Sequence, residues 1–94
     1  MIDPERCKTP EFCMTMVEVR EGVDETDRLI ADLLGLRFRY MDAAARIKPH
    51  REDVRDEVRK DQVLRHAKVN ALAANYPVEV AEYLWETLVE ASIA

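Results

Sequence analysis

The sequence predicts an all-α fold of three helices, one of them too long for the rest of its own chain to cover. Three observations lead there. Glycine is nearly absent, with two in 94 residues, and aromatics make up 6%, a composition that argues against a β-rich fold. Apolar residues recur at three- and four-residue spacing along most of the chain, the period of an amphipathic helix. Pro10, Pro49 and Pro77 stand between the periodic stretches, where proline ends one helix or opens the next.

Residues 1–13 read as an irregular lead-in. Within it Thr9-Pro10-Glu11 has the form of a short turn opening a helix, with Thr9 as cap and Pro10 at the first position. The first helix is expected over about 15–48. Thr15 followed by Glu18 is a capping box, and Pro49 stops the helix. Its apolar positions are Val19, Val23, Ile30, Leu33, Leu34, Met41, Ala44 and Ile47. At 1.5 Å per residue it would be roughly 50 Å long, against a radius of gyration of about 13 Å for a compact domain of this size. A second helix is expected over 53–74, with Val54, Val58, Val63, Leu64, Val69 and Leu72 as apolar positions. Asn75-Tyr76-Pro77 is a stop followed by a start. A third helix is expected over 77–94, with Val80, Ala81, Leu84, Trp85, Leu88 and Val89 turned inward. Residues 1–94 thus form one small helical domain. Three helices of these lengths leave an apolar stripe uncovered, and a second copy related by a two-fold axis would cover it.

Composition narrows the function. The net charge is −5, which disfavours nucleic acid and anionic membranes as partners. The longest apolar runs are far too short to span a bilayer, and the N-terminal stretch lacks a signal-peptide core, so a cytoplasmic location is expected. Cys7 and Cys13, six apart with no histidine nearby, read as two reduced thiols rather than a disulfide or half a metal site. His50 and His66 stand among polar residues with no nucleophile or metal partner.

The cations of the first helix carry more information. Arg37 and Lys48 are eleven residues apart, about 20° after three full turns, so both lie on the face that bears Met41 and Ala44. Two cations on a partly apolar stripe are costly unless they meet an anion. Arg20 precedes Arg37 by seventeen residues, about 100° in azimuth and roughly 25 Å along the axis. Arg20 therefore cannot share a small ligand with Arg37 of its own helix. In an antiparallel dimer it reaches the partner's. Against this stands a plainer reading: Asp24 with Arg28 and Asp42 with Arg46 are i,i+4 pairs on a solvated face, and long cationic side chains can lay their stems on apolar surface with wet heads. On the second helix Asp56, Arg59 and Lys60 fall within about a turn, where an Asp–Lys surface pair is the plain reading. The Glu82, Glu86, Glu90 row reads as a solvated stripe of the third helix.

The spacing Arg20, Arg37, Lys48, then Val54-Arg55-Asp56 and Arg59, with Leu84-Trp85-Glu86 and Glu90-Ala91-Ser92, resembles the all-helical (AroQ-type) chorismate mutase family. The resemblance implies an intertwined two-fold dimer whose sites each borrow an arginine from the other subunit. It implies chorismate, a small dianion, as substrate, and its cofactor-free [3,3] rearrangement to prephenate in aromatic amino acid biosynthesis, with no metal. It carries Arg37 and Lys48 over as catalytic residues. Substrate contacts would come from these two and from Arg20 of the partner subunit, Asp56, Arg59 and Ser92. The lead-in Lys8-Thr9-Pro10-Glu11-Phe12-Cys13, with Tyr40, resembles the branch that includes isochorismate pyruvate lyases, which release salicylate and pyruvate. Asp56, Arg59 and Ser92 follow the mutase pattern rather than the lyase pattern. There are two departures. Many mutases place a glutamate at Lys60 to accept a bond from the substrate hydroxyl, which a lysine cannot do. The family's glutamine or glutamate for the ether oxygen falls one turn after Ser92, past Ala94. A reading from another class is a non-catalytic helical dimerisation module.

Overall fold

The computed structural model describes residues 7–47 and 56–93. The described residues form a short 3-10 turn, Pro10–Phe12, and three α-helices: α1, Met16–Ile47; α2, Glu57–Ala74; and α3, Val78–Ile93. Among them there is no strand, and no helix is long and apolar enough to cross a membrane. The chain divides into two compact units, 1–40 and 41–94.

In the first unit the lead-in folds back on the opening of α1. The capping box forms as the sequence predicts: the Glu18 N–H donates to Thr15 Oγ1 at 3.2 Å and the Thr15 N–H to Glu18 Oε1 at 3.1 Å. The Met14 N–H adds a bond to the same carboxylate at 2.9 Å, so two backbone donors at the helix start are satisfied by one side chain. Lys8 pairs with Glu18, and the buried Cys7 thiol donates to the Glu21 carbonyl at 3.5 Å. Thr9 occupies the cap position of the 3-10 turn, with Pro10 next, but its side chain makes no capping bond. Both cysteines are free. Arg28 pairs with Glu25 at 2.5 Å and Asp32 at 3.0 Å rather than with Asp24. A guanidinium fork can reach one turn each way along the helix.

The second unit is built on an α2–α3 hairpin. Asn75 ends α2 in the left-handed conformation, φ 64°, which asparagine tolerates better than most residues. The Tyr76 N–H returns to the Ala71 carbonyl at 3.1 Å, the six-to-one bond of a Schellman stop. Toward the turn the helices meet through buried alanines, Ala67, Ala71 and Ala81, flanked by Tyr76, Val78 and Trp85. Small side chains let the two backbones approach closely.

This packing corrects two sequence expectations. Val58, Val69 and Leu72 are exposed on α2, and Val80 and Leu84 on α3. Ala67 lies nine residues after Val58, about 180° round the helix, so using the alanine face turns the Val58–Val69 face outward. α2 also starts at Glu57, because Asp56 is extended and caps it. Val54 lies outside the described residues. Along α1, Val19, Val23, Ile30, Leu33 and Ile47 are exposed, as the uncovered stripe anticipates.

Candidate active site

Arg20, Arg37, Arg59 and Ser92 stand on helices, and Asp56 caps one. Arg20 and Arg37 both stand on α1, which is continuous between them. The helical rise and turn that separate them by roughly 25 Å and about 100° therefore apply. Arg20 is exposed and Arg37 half-buried. The first unit thus keeps these two cations apart and gathers no dianion site between them. Lys48 lies outside the described residues, as does His50.

In the second unit, Asp56 and Arg59 meet at the start of α2. Asp56 Oδ1 accepts the Arg59 N–H at 3.0 Å, an N-cap bond that fixes the first turn. The Arg59 side chain is exposed and reaches Gln62 Oε1 at 3.4 Å. The expected Asp56–Lys60 surface pair gives way to this cap. Ser92, half-buried near the end of α3, donates its hydroxyl to the Leu88 carbonyl at 2.7 Å. In an antiparallel hairpin the start of α2 and the end of α3 share one end, so Asp56, Arg59 and Ser92 belong to the end away from the turn.

Sequence reasoning missed the strongest feature of that end. The Lys60 ammonium donates to Glu86 Oε1 and Glu90 Oε2, both at 2.8 Å, and its side chain is only 14% exposed. Hydrogen bonds from Lys60 to Glu86, and then to Glu90, raise its pKa above the ordinary lysine value. Lower on the hairpin Lys68 pairs with Glu82 at 3.3 Å. The glutamate row is solvated, as expected, and is also the acceptor side of a cross-helix ladder. A signal for it was present: Lys60 and Glu90, and likewise Lys68 and Glu82, are equally distant in sequence from Asn75, where the chain turns.

The lead-in and α1 line a half-open groove of about 290 Å³ whose walls include Lys8, Pro10, Cys13, Val19, Val23 and Asp27. None of the expected site cations lines it. Among the described residues no group of three or more histidine, cysteine, aspartate or glutamate side chains is gathered to hold a metal.

The chain matches the family described as chorismate mutase type II over residues 19–94. It is 44% identical over 41 residues to an isochorismate pyruvate lyase from Pseudomonas aeruginosa, a match covering 44% of this chain and 41% of that protein. The similarity thus spans well under half the length of that curated relative. No solved structure matches the chain significantly.

Proposed function

Because the chain belongs to the chorismate mutase type II family, we propose that it converts chorismate to prephenate by a cofactor-free [3,3] rearrangement, as an intertwined homodimer. The observation that carries this reading is the extent of the family match. Residues 19–94 take in all six proposed site residues, the whole of α2 and α3, and α1 but for its first three residues. Residues 1–94 act together as one domain in this reading.

The reaction is unimolecular, so catalysis rests on holding the reactive conformer and on meeting charge as it develops. Arg37 and the partner subunit's Arg20 grip the two carboxylates through their planar forks. Lys48 approaches the ether oxygen, where negative charge grows as C–O cleavage runs ahead of C–C formation. Arg59 supports the carboxylate side, and the cap bond that its N–H donates to Asp56 orders the turn that carries it. Ser92 and Asp56 supply polar contacts at the wall. A homodimer is supported by the exposed apolar residues of α1 and by the lack of fully buried large side chains among the described residues.

A second reading, isochorismate pyruvate lyase, is favoured by the Pseudomonas relative and uses the same cations on an isomeric dianion. Incubation of the purified protein with chorismate and, separately, isochorismate decides between them. Prephenate is the expected product. Salicylate with pyruvate, and no prephenate, would transfer the assignment to the lyase. If neither substrate is consumed, and a dianionic transition-state mimic leaves the melting temperature unmoved at saturation, the chain is a helical dimerisation module.

A further inference from the structure

Lys60 is neither an exposed surface lysine nor part of a local pair on its own helix. It crosses from the first turn of α2 to the last turns of α3 and is held there by two carboxylates one turn apart, Glu86 and Glu90, each at 2.8 Å. The alanine contacts of the hairpin, Ala67, Ala71 and Ala81 with Tyr76, concentrate toward the turn at Asn75. The opposite end bears Asp56, Arg59 and Ser92. There Lys60 follows Arg59 directly, and Glu90 precedes Ser92 by two residues. Val89 is buried at that end, but an apolar contact alone does not set how far one helix slides along the other. Two directed bonds to one ammonium do.

We propose that Lys60, with Glu86 and Glu90, is a positioning residue that fixes the start of α2 against the end of α3 and so sets where Arg59 and Asp56 meet the substrate. The proposal rests on the chorismate mutase reading above. It also accounts for a lysine at this position: an ammonium drawn to two α3 carboxylates is a strut between helices rather than a substrate contact. Exposed ion pairs add little to stability, and Glu86 and Glu90 are 49% and 42% exposed. The effect of breaking the strut therefore falls on geometry more than on folding.

The test compares Lys60→Met, Lys60→Arg and Glu90→Gln with the wild-type full-length chain. For each, kcat and KM on chorismate and the thermal melt are measured. Lys60→Met keeps the length of the side chain and removes its charge. It is expected to raise KM about tenfold while kcat changes by less than about threefold, since ground-state grip is what a displaced Arg59 loses. Lys60→Arg restores both carboxylate bonds and is expected to return KM to within about threefold of wild type. Glu90→Gln weakens one of the two bonds, shifts KM in the same direction by less, and carries the test should Lys60→Met fail to fold. An unchanged KM in the folded variants overturns the proposal, and so does a kcat loss that merely tracks the folded fraction. If the wild-type protein consumes neither chorismate nor isochorismate, the functional reading fails by itself. The strut is then read by amide exchange over residues 57–63 in Lys60→Met, faster exchange upholding it and unchanged exchange overturning it.

Discussion

In the proposed mechanism Lys48 carries the rate enhancement, its ammonium assigned to charge that appears only as the ether bond breaks. An interaction made in the transition state alone lowers kcat when removed. Lys48→Ala is therefore expected to reduce turnover by on the order of 10²–10³ with the helical content unchanged. Near wild-type kcat on both chorismate and isochorismate would remove Lys48 from the mechanism. Glu18 illustrates a structural charge. The bond from Lys8, followed by the Met14 N–H, holds its carboxyl at about 2, below the ordinary 4.5. A folded-state pKa below the unfolded one stabilises the fold above the unfolded value, and that contribution fades as pH falls through the folded value. The melting temperature of the wild type should exceed that of Glu18→Gln by a constant margin near neutrality. The margin should narrow below pH 4.5 and close toward pH 2. A margin independent of pH would show that the carboxylate charge contributes nothing.

At the scale of the element, α2 shows how a proposed site residue can also be a helix cap. Asp56 accepts the Arg59 N–H at 3.0 Å, so it serves the helix before it serves a ligand. Asp56→Ala should lower stability by about 1 kcal/mol through the lost cap and weaken substrate binding through a loosened Arg59. Asp56→Asn, which keeps a capping oxygen, should recover the stability. Denaturant melts and KM values on the two variants separate the effects. If Asp56→Asn binds substrate as the wild type does, Asp56 acts through the cap alone and its proposed direct contact falls. The hairpin also explains why α2 turns Val58 and Val69 outward. Its alanines face α3, and the valines lie on the opposite side.

Among the described residues the core is small. No large side chain is fully buried among the described residues, while Leu33 is 65% and Leu72 67% exposed. Apolar exposure on this scale marks an interaction surface, and a second copy is the partner that the shared-site reading requires. Arg20 and Arg37 stand roughly 25 Å apart on one helix, so in the shared-site proposal Arg20 serves the partner's site. Arg20→Ala and Lys48→Ala homodimers should both be defective. Unfolded together in equal amounts and refolded, they should give about half mixed dimers, each with one intact site of two, and so about a quarter of wild-type activity. A mixture no more active than the mean of its parents, with mixed dimers shown by mass spectrometry, would refute the shared site.

Local rules made the helices legible. The Thr15–Glu18 capping box, the Asn75-Tyr76-Pro77 break and the 3.6-residue apolar period act within a few residues, and the sequence displays them directly. The separation of Arg20 from Arg37 was legible for the same reason, since helical geometry converts residue number into distance. The face that α2 buries was not legible, whereas Ala81, Trp85 and Val89 of α3 turn inward as the period predicts. Period shows that a helix has an apolar side, but α2 packs through its alanines, where close approach of backbones outweighs the larger area of Val58, Val69 and Leu72. The acceptors of Lys60 were hidden because Glu86 and Glu90 are 26 and 30 residues away. Within its own helix Lys60 has Asp56 one turn before it, and only the antiparallel return of α3 offers two carboxylates to compete. Asp56 in turn caps its own helix, because a backbone N–H three residues on is nearer to hand than a mobile ammonium. The sequence by itself determined the elements and the cations they carry. The pairing of α2 with α3 decided which charges meet, because that choice depends on which faces can pack and not on any property of one helix alone.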